Sequence, residues 1–582
     1  MIILLKLAFF LKNYRKECFI GPIFKLFEAI LELLLPTMMV FIINNGVARH
    51  DMNYVLRMGG WMLFMSILGF CCSMVCQYFA ARASQGFGTT LRDAVFRHVQ
   101  TLSHSELNAL GTASLINRIT NDINQLQLAV AMLIRLVIRT PFICIGAIVM
   151  SMMLDLRLSV ILWGAAPIFA LILYFIVKRS SFLYSSYQKK LDRTAAVLRE
   201  NLSGVRVIRA FAKITKEKKR FSETNDDLMN NALKIGHVSA LLNPLTTFIM
   251  NAVIIMILWV GSSHINEGTL AKGQIIAFAN YVTQILLALI VISNLVVIFT
   301  KAFASAARVT QVLDTVSSLP ESPADAPHMI KNSSAPLLSL HDVSFKYSRT
   351  GDMALSHLNI DILHGETIGV IGSTGSGKST FINLLPRFYD ATEGQVLVDG
   401  VDVRDWKLPL LRKKFGIVPQ KSLLFTGTIE ENLRWAKDNA SLSELKKASQ
   451  IAQASEFIDE LPAGYKTLVE RGGLNFSGGQ KQRLTIARAL VGNPEILIMD
   501  DSTSALDFAT DAAVRTAINK NYTQSTVIIV SQRASSIKHA DKILVFDDGL
   551  LVGCGTHPEL MNGCEVYREI CLSQLSSEEA YA

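Results

Sequence analysis

The sequence predicts a multi-domain membrane protein with two fold classes in series: an all-α membrane domain of six spanning helices, then an α/β domain built on parallel strands. Three observations carry this expectation. Six apolar stretches of spanning length all lie before about Arg308. From Leu337 onward, short β-rich runs alternate with helical ones, the pattern of strands joined by crossover helices. Between them lies Asp314–Pro336, rich in serine, proline and alanine and without a period, which reads as a linker. The bulk composition agrees. Of 582 residues, 50% are hydrophobic and 18% charged, which excludes a disordered chain, and the mean hydropathy of +0.34 argues against an ordinary soluble enzyme.

The expected spans are approximately Phe19–Ile43, Val55–Phe79, Leu133–Met153, Leu158–Val177, Pro244–Val260 and Ile275–Phe299. Each approaches the roughly 20 residues needed to cross about 30 Å of hydrocarbon. The opening MIILLKLAFFLKNYRK is too short to span. Its Lys6, Lys12, Arg15 and Lys16 alternate with apolar residues, as in an amphipathic helix lying on the inner surface. It has no small-residue cleavage site, so it is not expected to be a removed signal peptide. The resulting divisions are 1–17 for this elbow, 18–312 for the membrane domain, 313–336 for the linker, 337–575 for the α/β domain and 576–582 for a tail.

Charge gives an orientation. The net charge is 57 − 48 = +9, and the basic residues crowd into the segments after the second and fourth spans, while Asn44–Asn53, Leu154–Arg157 and Ser262–Lys272 are short and poor in charge. The positive-inside rule then places both termini and both long loops in the cytoplasm, and it explains the positive charge without a nucleic-acid partner. Helical periodicity continues into both long loops. Their far ends, near Ser105–Thr112 and Arg206–Lys213, are expected to turn round and to be able to touch another domain. The eight cysteines (Cys18, Cys71, Cys72, Cys76, Cys144, Cys554, Cys564 and Cys571) have neither zinc spacing nor the density of a disulfide scaffold.

Polar residues inside the spans need a reason. Lys25, Glu28 and Glu32 share one face of the first span, and Asn280, Tyr281, Gln284 and Asn294 mark the sixth. Contact with a transported molecule is one reading of Glu28, Glu32, Asn280, Tyr281, Gln284 and Asn294; packing or local ion pairing is the other. Arg135 and Arg139 are expected near the cytoplasmic end of the third span, snorkelling to the interface.

The α/β half carries the chemistry. ETIGVIG reads as a buried strand and runs into GSTGSGKST: Gly372, Ser373, Thr374, Gly375, Ser376, Gly377, Lys378, Ser379 and Thr380. This is the G-x-x-x-x-G-K-[ST] pattern, in which glycines let backbone N–H groups close round phosphates, the lysine reaches the β/γ-phosphates and the hydroxyl of Ser379 can bind Mg2+. EILIMDD is a second buried strand ending in acid. Asp500 suits a carboxylate that holds the metal, usually through water, and Asp501 stands where a base for the attacking water would be. Between them, Ser477, Gly478, Gly479 and Gln480 offer a hydroxyl and successive N–H groups ahead of a helix, a second anion-binding loop.

The order and spacing of these three motifs resemble those of ATP-binding cassette proteins. By that resemblance, Tyr347 of VSFKY is the aromatic that stacks on adenine. Gln420 of IVPQ senses the metal and contacts the membrane domain. Ser504–Asp507 (SALD), with Asp507, is the loop that crosses to a second cassette. With six spans in front, essentially the whole chain resembles a half-transporter of the bacterial multidrug exporter type, a type I exporter fold followed by a P-loop ATPase domain. The resemblance implies ATP and Mg2+ as ligands. It also implies a bacterial inner or plasma membrane setting and a dimer, because each ATP is sandwiched between one chain's phosphate loop and the other chain's SGGQ loop.

Two positions depart from the family pattern. Most active cassettes have Glu where this chain has Asp501, and His where it has Gln532. The shorter carboxylate stands back from the attacking water, and an amide cannot titrate as an imidazole does. ATP binding should survive, since Tyr347, Lys378, Ser379 and Asp500 are intact. The pattern resembles the degenerate-site subunit of a heterodimeric exporter, which donates an intact SGGQ loop to a faster partner site. A working homodimer is the alternative. Amphipathic drugs are the expected cargo and lipid the runner-up. A regulator or channel gated by ATP is a competing class.

Overall fold

The computed structural model describes residues 6–266, 270–319, 335–348, 351–502 and 505–581. Ser504 of the SALD loop and most of the expected linker lie outside the described residues. The chain divides into two compact units: one takes the first hundred residues and Leu110–Thr315, the other Thr101–Ala109 with Val316–Ala582. The division therefore falls inside the expected linker, and it assigns the far end of the first long loop to the soluble unit.

The first unit is helical throughout. Six helices are long and apolar enough to cross a membrane: Lys6–Val47, Met52–Thr101, Thr112–Leu154, Leu156–Ser203, Ile214–Asn266 and Lys272–Asp314. They run 42 to 53 residues, about twice what hydrocarbon requires, which is the projection beyond the membrane that helical periodicity in the loops foretold. Only 11% to 28% of each apolar window is buried within the chain, so most of it faces outward, as in a protein whose solvent is lipid. At the amino end, the helix tightens to 3-10 geometry over Phe9–Tyr14 before the first span proper starts at Arg15. The third and fourth spans are joined by one extended residue, Asp155, whose carboxylate accepts from the N–H groups of Arg157 and Leu158 at 2.9 Å each and so caps the fourth helix. The long loops turn where expected, through the short helices His104–Leu110 and Val205–Ala210.

Inside the spans, the charges on the first span's polar face and at Arg139 are paired: Lys25 with Glu28, and Glu32 with Arg139. A Lys, Arg or Asp at the centre of a membrane helix costs about 2.5–3.5 kcal/mol, and pairing offsets it. Lys25 donates to Glu28 at 2.6 Å and to Ser73 on the second span. Arg139 bonds Glu32 at 2.6 Å across the first and third spans, which corrects the expectation that it reaches for the interface.

Among its described residues the second unit holds twelve strands: β1 (Leu338–Phe345), β2 (Leu355–Ile362), β3 (Thr367–Gly372), β4 (Glu393–Val398), β5 (Val401–Asp402), β6 (Phe415–Val418), β7 (Gly427–Thr428), β8 (Leu468–Val469), β9 (Ile496–Asp500), β10 (Thr526–Val530), β11 (Lys542–Asp547) and β12 (Leu550–Gly555). A six-stranded sheet has the order β12-β11-β3-β10-β9-β6, parallel except for β12. An antiparallel sheet β2-β1-β4-β5 and the hairpin-like pair β7-β8 complete the unit. Because side chains alternate along a strand, the parallel sheet feeds two cores. Ile371, Leu497, Met499, Val527, Ile529, Ile543 and Val545 enter one. Ile368, Val370, Ile496, Ile498, Ile528, Val530, Leu544 and Phe546 enter the other.

Candidate nucleotide-binding site

Register assembles the site. Val370 of β3 lies beside Val530 of β10, Val530 beside Asp500 of β9, and Met499 of β9 beside Val418 of β6. The strands being parallel, all four chains leave the sheet at one edge. The segments that follow, Gly372–Thr380, Asp500–Asp501, Gln532 and Gln420, therefore open together, as ligand sites in parallel α/β sheets do.

The phosphate loop has the backbone the motif requires. Gly372, Gly375 and Gly377 sit at φ +153°, +88° and +102°. A Cβ on Gly372 would lie 2.1 Å from the carbonyl oxygen of Phe546, and one on Gly377 would lie 2.6 Å from Leu355 Cδ2. Only glycine fits this path, so the loop stays open for a ligand to meet its N–H groups. Ser373, Thr374 and Gly375 are exposed at its crest, Ser376 is buried beneath, and the helix Lys378–Leu384 follows with Ser379 exposed in its first turn. Lys378 is 8% exposed and folds back, donating to the carbonyls of Gly372 (2.9 Å) and Ser373 (2.5 Å) and to Ser376 Oγ at 3.3 Å. Burial pushes its ammonium below the ordinary lysine range, while the carboxylates of Asp501 and Asp500 pull the other way.

Asp500 lies within the electrostatic reach of the same ammonium. Burial, and then the neighbouring charge of Asp501, push its carboxyl up to about 6, against the pull of Lys378. Asp501 turns the chain at φ +44°, a conformation that Asp tolerates better than most residues, with its N–H bonded to the carbonyl of Val530 at 2.9 Å. Gln420 donates its amide to Asp501 Oδ2 at 3.2 Å. Gln532 is exposed at the end of β10, and its carbonyl accepts from Gln574 at 2.8 Å. The ring of Tyr347 is half exposed; its hydroxyl is 3.0 Å from Thr380 Oγ1, and Phe345 and Tyr389 meet it edge-on.

The second loop is built separately, at the start of the 14-residue helix Gly478–Val491. Ser477 is its cap. Gln480 N–H donates to Ser477 Oγ at 3.2 Å and Ser477 N–H to Gln480 Oε1 at 2.9 Å. Gly478 has open space around it, and Gly479 approaches the carbonyl of Ala505. Asp507 caps the next helix, Phe508–Asn521, by accepting from Thr510 N–H and Oγ1–H at 2.9 and 2.8 Å.

These residues fit a Mg2+–nucleotide. The glycine path leaves a cradle that a Cβ would fill, with the Lys378 ammonium bonded to the loop's own carbonyls and close enough to Asp500 to pull on its charge. Ser379, Gln420 and Asp500 would hold the metal, which supplies neutralisation of phosphate charge. Among the described residues no group of three His, Cys, Asp or Glu makes a metal cage, consistent with Mg2+ taking its remaining ligands from phosphate and water.

Sequence reasoning missed one part of this unit. The turn residues His104 and Asn108 pack on Phe388 and Tyr389: the His104 ring lies 4.8 Å from Phe388, and Asn108 donates to the Tyr389 hydroxyl at 3.3 Å. Arg387, 1% exposed and at φ +52°, bonds Asp390 at 2.7 Å and so presents both aromatics outward. The signal was the RFYD run, with Arg and Asp three apart around two rings. The membrane residues expected to meet cargo fare unequally. Tyr281 is fully buried, its hydroxyl shared between Thr37 (2.9 Å) and the Leu33 carbonyl (2.9 Å), so it packs the bundle and lines no cavity. Glu28 and Glu32 are in the ion pairs above. Gln284 reaches the Glu32 carbonyl at 3.4 Å, while Asn280 and Asn294 are exposed.

Comparison with known proteins agrees. Residues 18–290 match the family described as the ABC transporter transmembrane region and residues 355–504 the family described as ABC transporter. The chain is 37% identical to the ABC transporter ATP-binding protein YfiB of Bacillus subtilis, over 98% of each chain. It is 28% identical to an ATP-dependent lipid A-core flippase of Vibrio vulnificus, over 96% of each. A solved structure of a bacterial Atm1-family ABC exporter with ATP bound superposes with a TM-score of 0.80 at 26% identity, covering 97% of this chain and 100% of that one. The chain belongs to the ABC transporters, as an exporter half that joins a six-helix membrane domain to an ATP-hydrolysing domain in one polypeptide and works as a dimer.

Proposed function

We propose that this chain is the slow-site half of a heterodimeric exporter that uses ATP to move amphipathic compounds out of a bacterial cell. The observation that carries the reading is the contrast between two loops. At the ends of β9 and β10, Asp501 and Gln532 stand where a longer carboxylate and an imidazole serve most family members. The Ser477–Gln480 loop keeps both of its reciprocal capping bonds. A well-placed general base is worth about 10²–10⁴ in rate, so a carboxylate one methylene short slows bond cleavage while leaving nucleotide binding in place. The partner would supply Glu and His, completed by Ser477, Gly478, Gly479 and Gln480 of this chain.

Coupling would run through the loop ends, the membrane lying so that both termini and both loop tips are cytoplasmic. The turn Thr101–Ala109 already sits on Phe388 and Tyr389. The second tip leaves Val207 61% and Phe211 71% exposed, apolar surface of the kind that docks on another chain. Cargo of lipid type is the second reading, favoured by the lipid A-core flippase among the relatives.

The test is a pair of substitutions in the purified heterodimer. Asp501→Ala should change turnover only mildly, whereas replacing the partner's catalytic Glu should nearly abolish it. Equal losses from both changes would overturn the asymmetry, and brisk ATP-driven transport by this chain alone would overturn the need for a partner.

A further inference from the structure

The apolar spans contain very few charges, and they do not balance. Leaving aside Arg57 near one end of the second span, the side chains of Asp, Glu, Lys and Arg within the six apolar stretches are Lys25, Glu28, Glu32, Arg135 and Arg139. They gather on the first and third spans. Glu32 and Arg139 are bonded to each other at 2.6 Å, and Glu28 and Arg135 each lie four residues earlier on their own helices. The two helices run in the same direction, so Glu28 and Arg135 stand about one turn below that bond. Glu28 is already neutralised by Lys25. Three cations thus face two carboxylates, and Arg135 is the one left over: its Nε, like that of Arg139, is buried without a hydrogen-bond partner, but Arg139 has Glu32 and Arg135 has no ion pair among the described residues.

The backbone around Arg135 is also unusual. Leu133–Val137 forms a π turn inside the third span. Pro141 explains it, since proline lacks the N–H that would bond the carbonyl of Val137 and its ring crowds that carbonyl. Such turns are rare and recur at functional sites, because they re-aim a side chain. Ile134, 1% exposed, anchors the turn among Cys76, Ala80 and Ala83, and Arg135 beside it is half-buried, with its Nε covered.

We propose that Arg135 is the anion-binding residue of a site in the membrane bundle, and that this site takes an amphipathic molecule bearing a single carboxylate or phosphate charge. The proposal deepens the exporter reading by naming its cargo class. A guanidinium in a medium of low dielectric binds an oxyanion through paired N–H donors far more strongly than it would in water. A neutral amphiphile leaves the extra charge uncompensated, and a dianion overshoots it. The apolar tail would lie among the outward-facing side chains of the spans, which are already suited to hydrocarbon.

The experiment uses the full-length dimer in nanodiscs of zwitterionic phosphatidylcholine, without nucleotide. Binding of dansyl-undecanoate, a fluorescent monocarboxylate, is compared with that of its neutral methyl ester. In Arg135→Gln the affinity for the carboxylate should fall at least ~10-fold while that for the ester moves less than ~2-fold, the size expected for one charge-assisted bond. Arg135→Lys should recover part of the loss, which shows that the site still folds. Adding phosphatidylglycerol separates the two sources of the same chemistry. Competition with the probe assigns the site to a lipid headgroup, and its absence assigns the site to a non-lipid amphiphile; both outcomes support the site. Equal behaviour of acid and ester, or an unchanged affinity in Arg135→Gln, would overturn it. Because binding is read without ATP, the site can stand if transport fails, and ATP-driven export of neutral probes can stand if the site fails.

Discussion

Replacing Asp501 by Glu isolates the slow-site argument in one methylene. The longer side chain advances the carboxylate by about 1.3 Å toward the position a water would attack from. A positioned base is worth about 10²–10⁴ in rate, or roughly 2.7–5.5 kcal/mol. Two costs offset part of that. The 3.2 Å bond from the Gln420 amide to Asp501 must be remade, about 0.5–1.5 kcal/mol. The backbone at φ +44° also suits Asp better than Glu. What remains corresponds to a gain of about 10- to 100-fold in turnover at this chain's site, with Gln532 still limiting the rest. The assay is phosphate release from the reconstituted heterodimer whose partner has its catalytic Glu replaced, so that only this chain's site is read, alongside equilibrium binding of ATP to confirm that affinity is unchanged. A turnover within about 3-fold of the starting protein, at unaltered ATP affinity, would refute the claim that carboxylate reach limits the site.

Three further outcomes are expected. Gly377→Ala puts a methyl group 2.6 Å from Leu355 Cδ2 at φ +102°, strain of about 1–3 kcal/mol, and should weaken ATP binding roughly 10-fold or more in a titration while leaving the helical content of the membrane unit unchanged. Asp500, with its carboxyl pushed up to about 6, keeps a proton in the absence of metal across a range where an ordinary Asp has lost it. Binding a metal must displace that proton, so Mg2+–ATP affinity should fall as pH drops through about 6; a flat profile between pH 7 and 5 would count against the raised acid. Phe388→Ala removes the ring under His104 and should lower cargo-stimulated ATPase more than basal ATPase, whereas equal reduction of both would assign Phe388 to stability alone.

The elements of the candidate nucleotide site, and their opening at one edge of the sheet, were legible in the sequence because they are local. A glycine path, a lysine and a strand ending in acid each follow from a few consecutive residues, and the parallel register then has little freedom in where it puts them. Fold class was legible for the same reason, spanning length and strand alternation being short-range patterns. What escaped depends on how one helix is rotated against another. Tyr281 reads as a polar residue in a span, yet its ring is buried and its hydroxyl ties the sixth span to the first. Arg139 reads as a snorkelling residue until the third span is turned toward Glu32. The contact of His104 with Phe388 joins residues far apart in sequence, and no period announces it.

That contact also bears on how the ATP-hydrolysing part behaves when cut free. A fragment beginning at Val316 would leave behind the segment Thr101–Ala109, and with it the cover over Phe388 and Tyr389. The Arg387–Asp390 pair would go on holding both rings outward, now toward water. Such a fragment is expected to self-associate through this aromatic face. A soluble, monodisperse version would need either the missing loop grafted back or polar residues at those two positions.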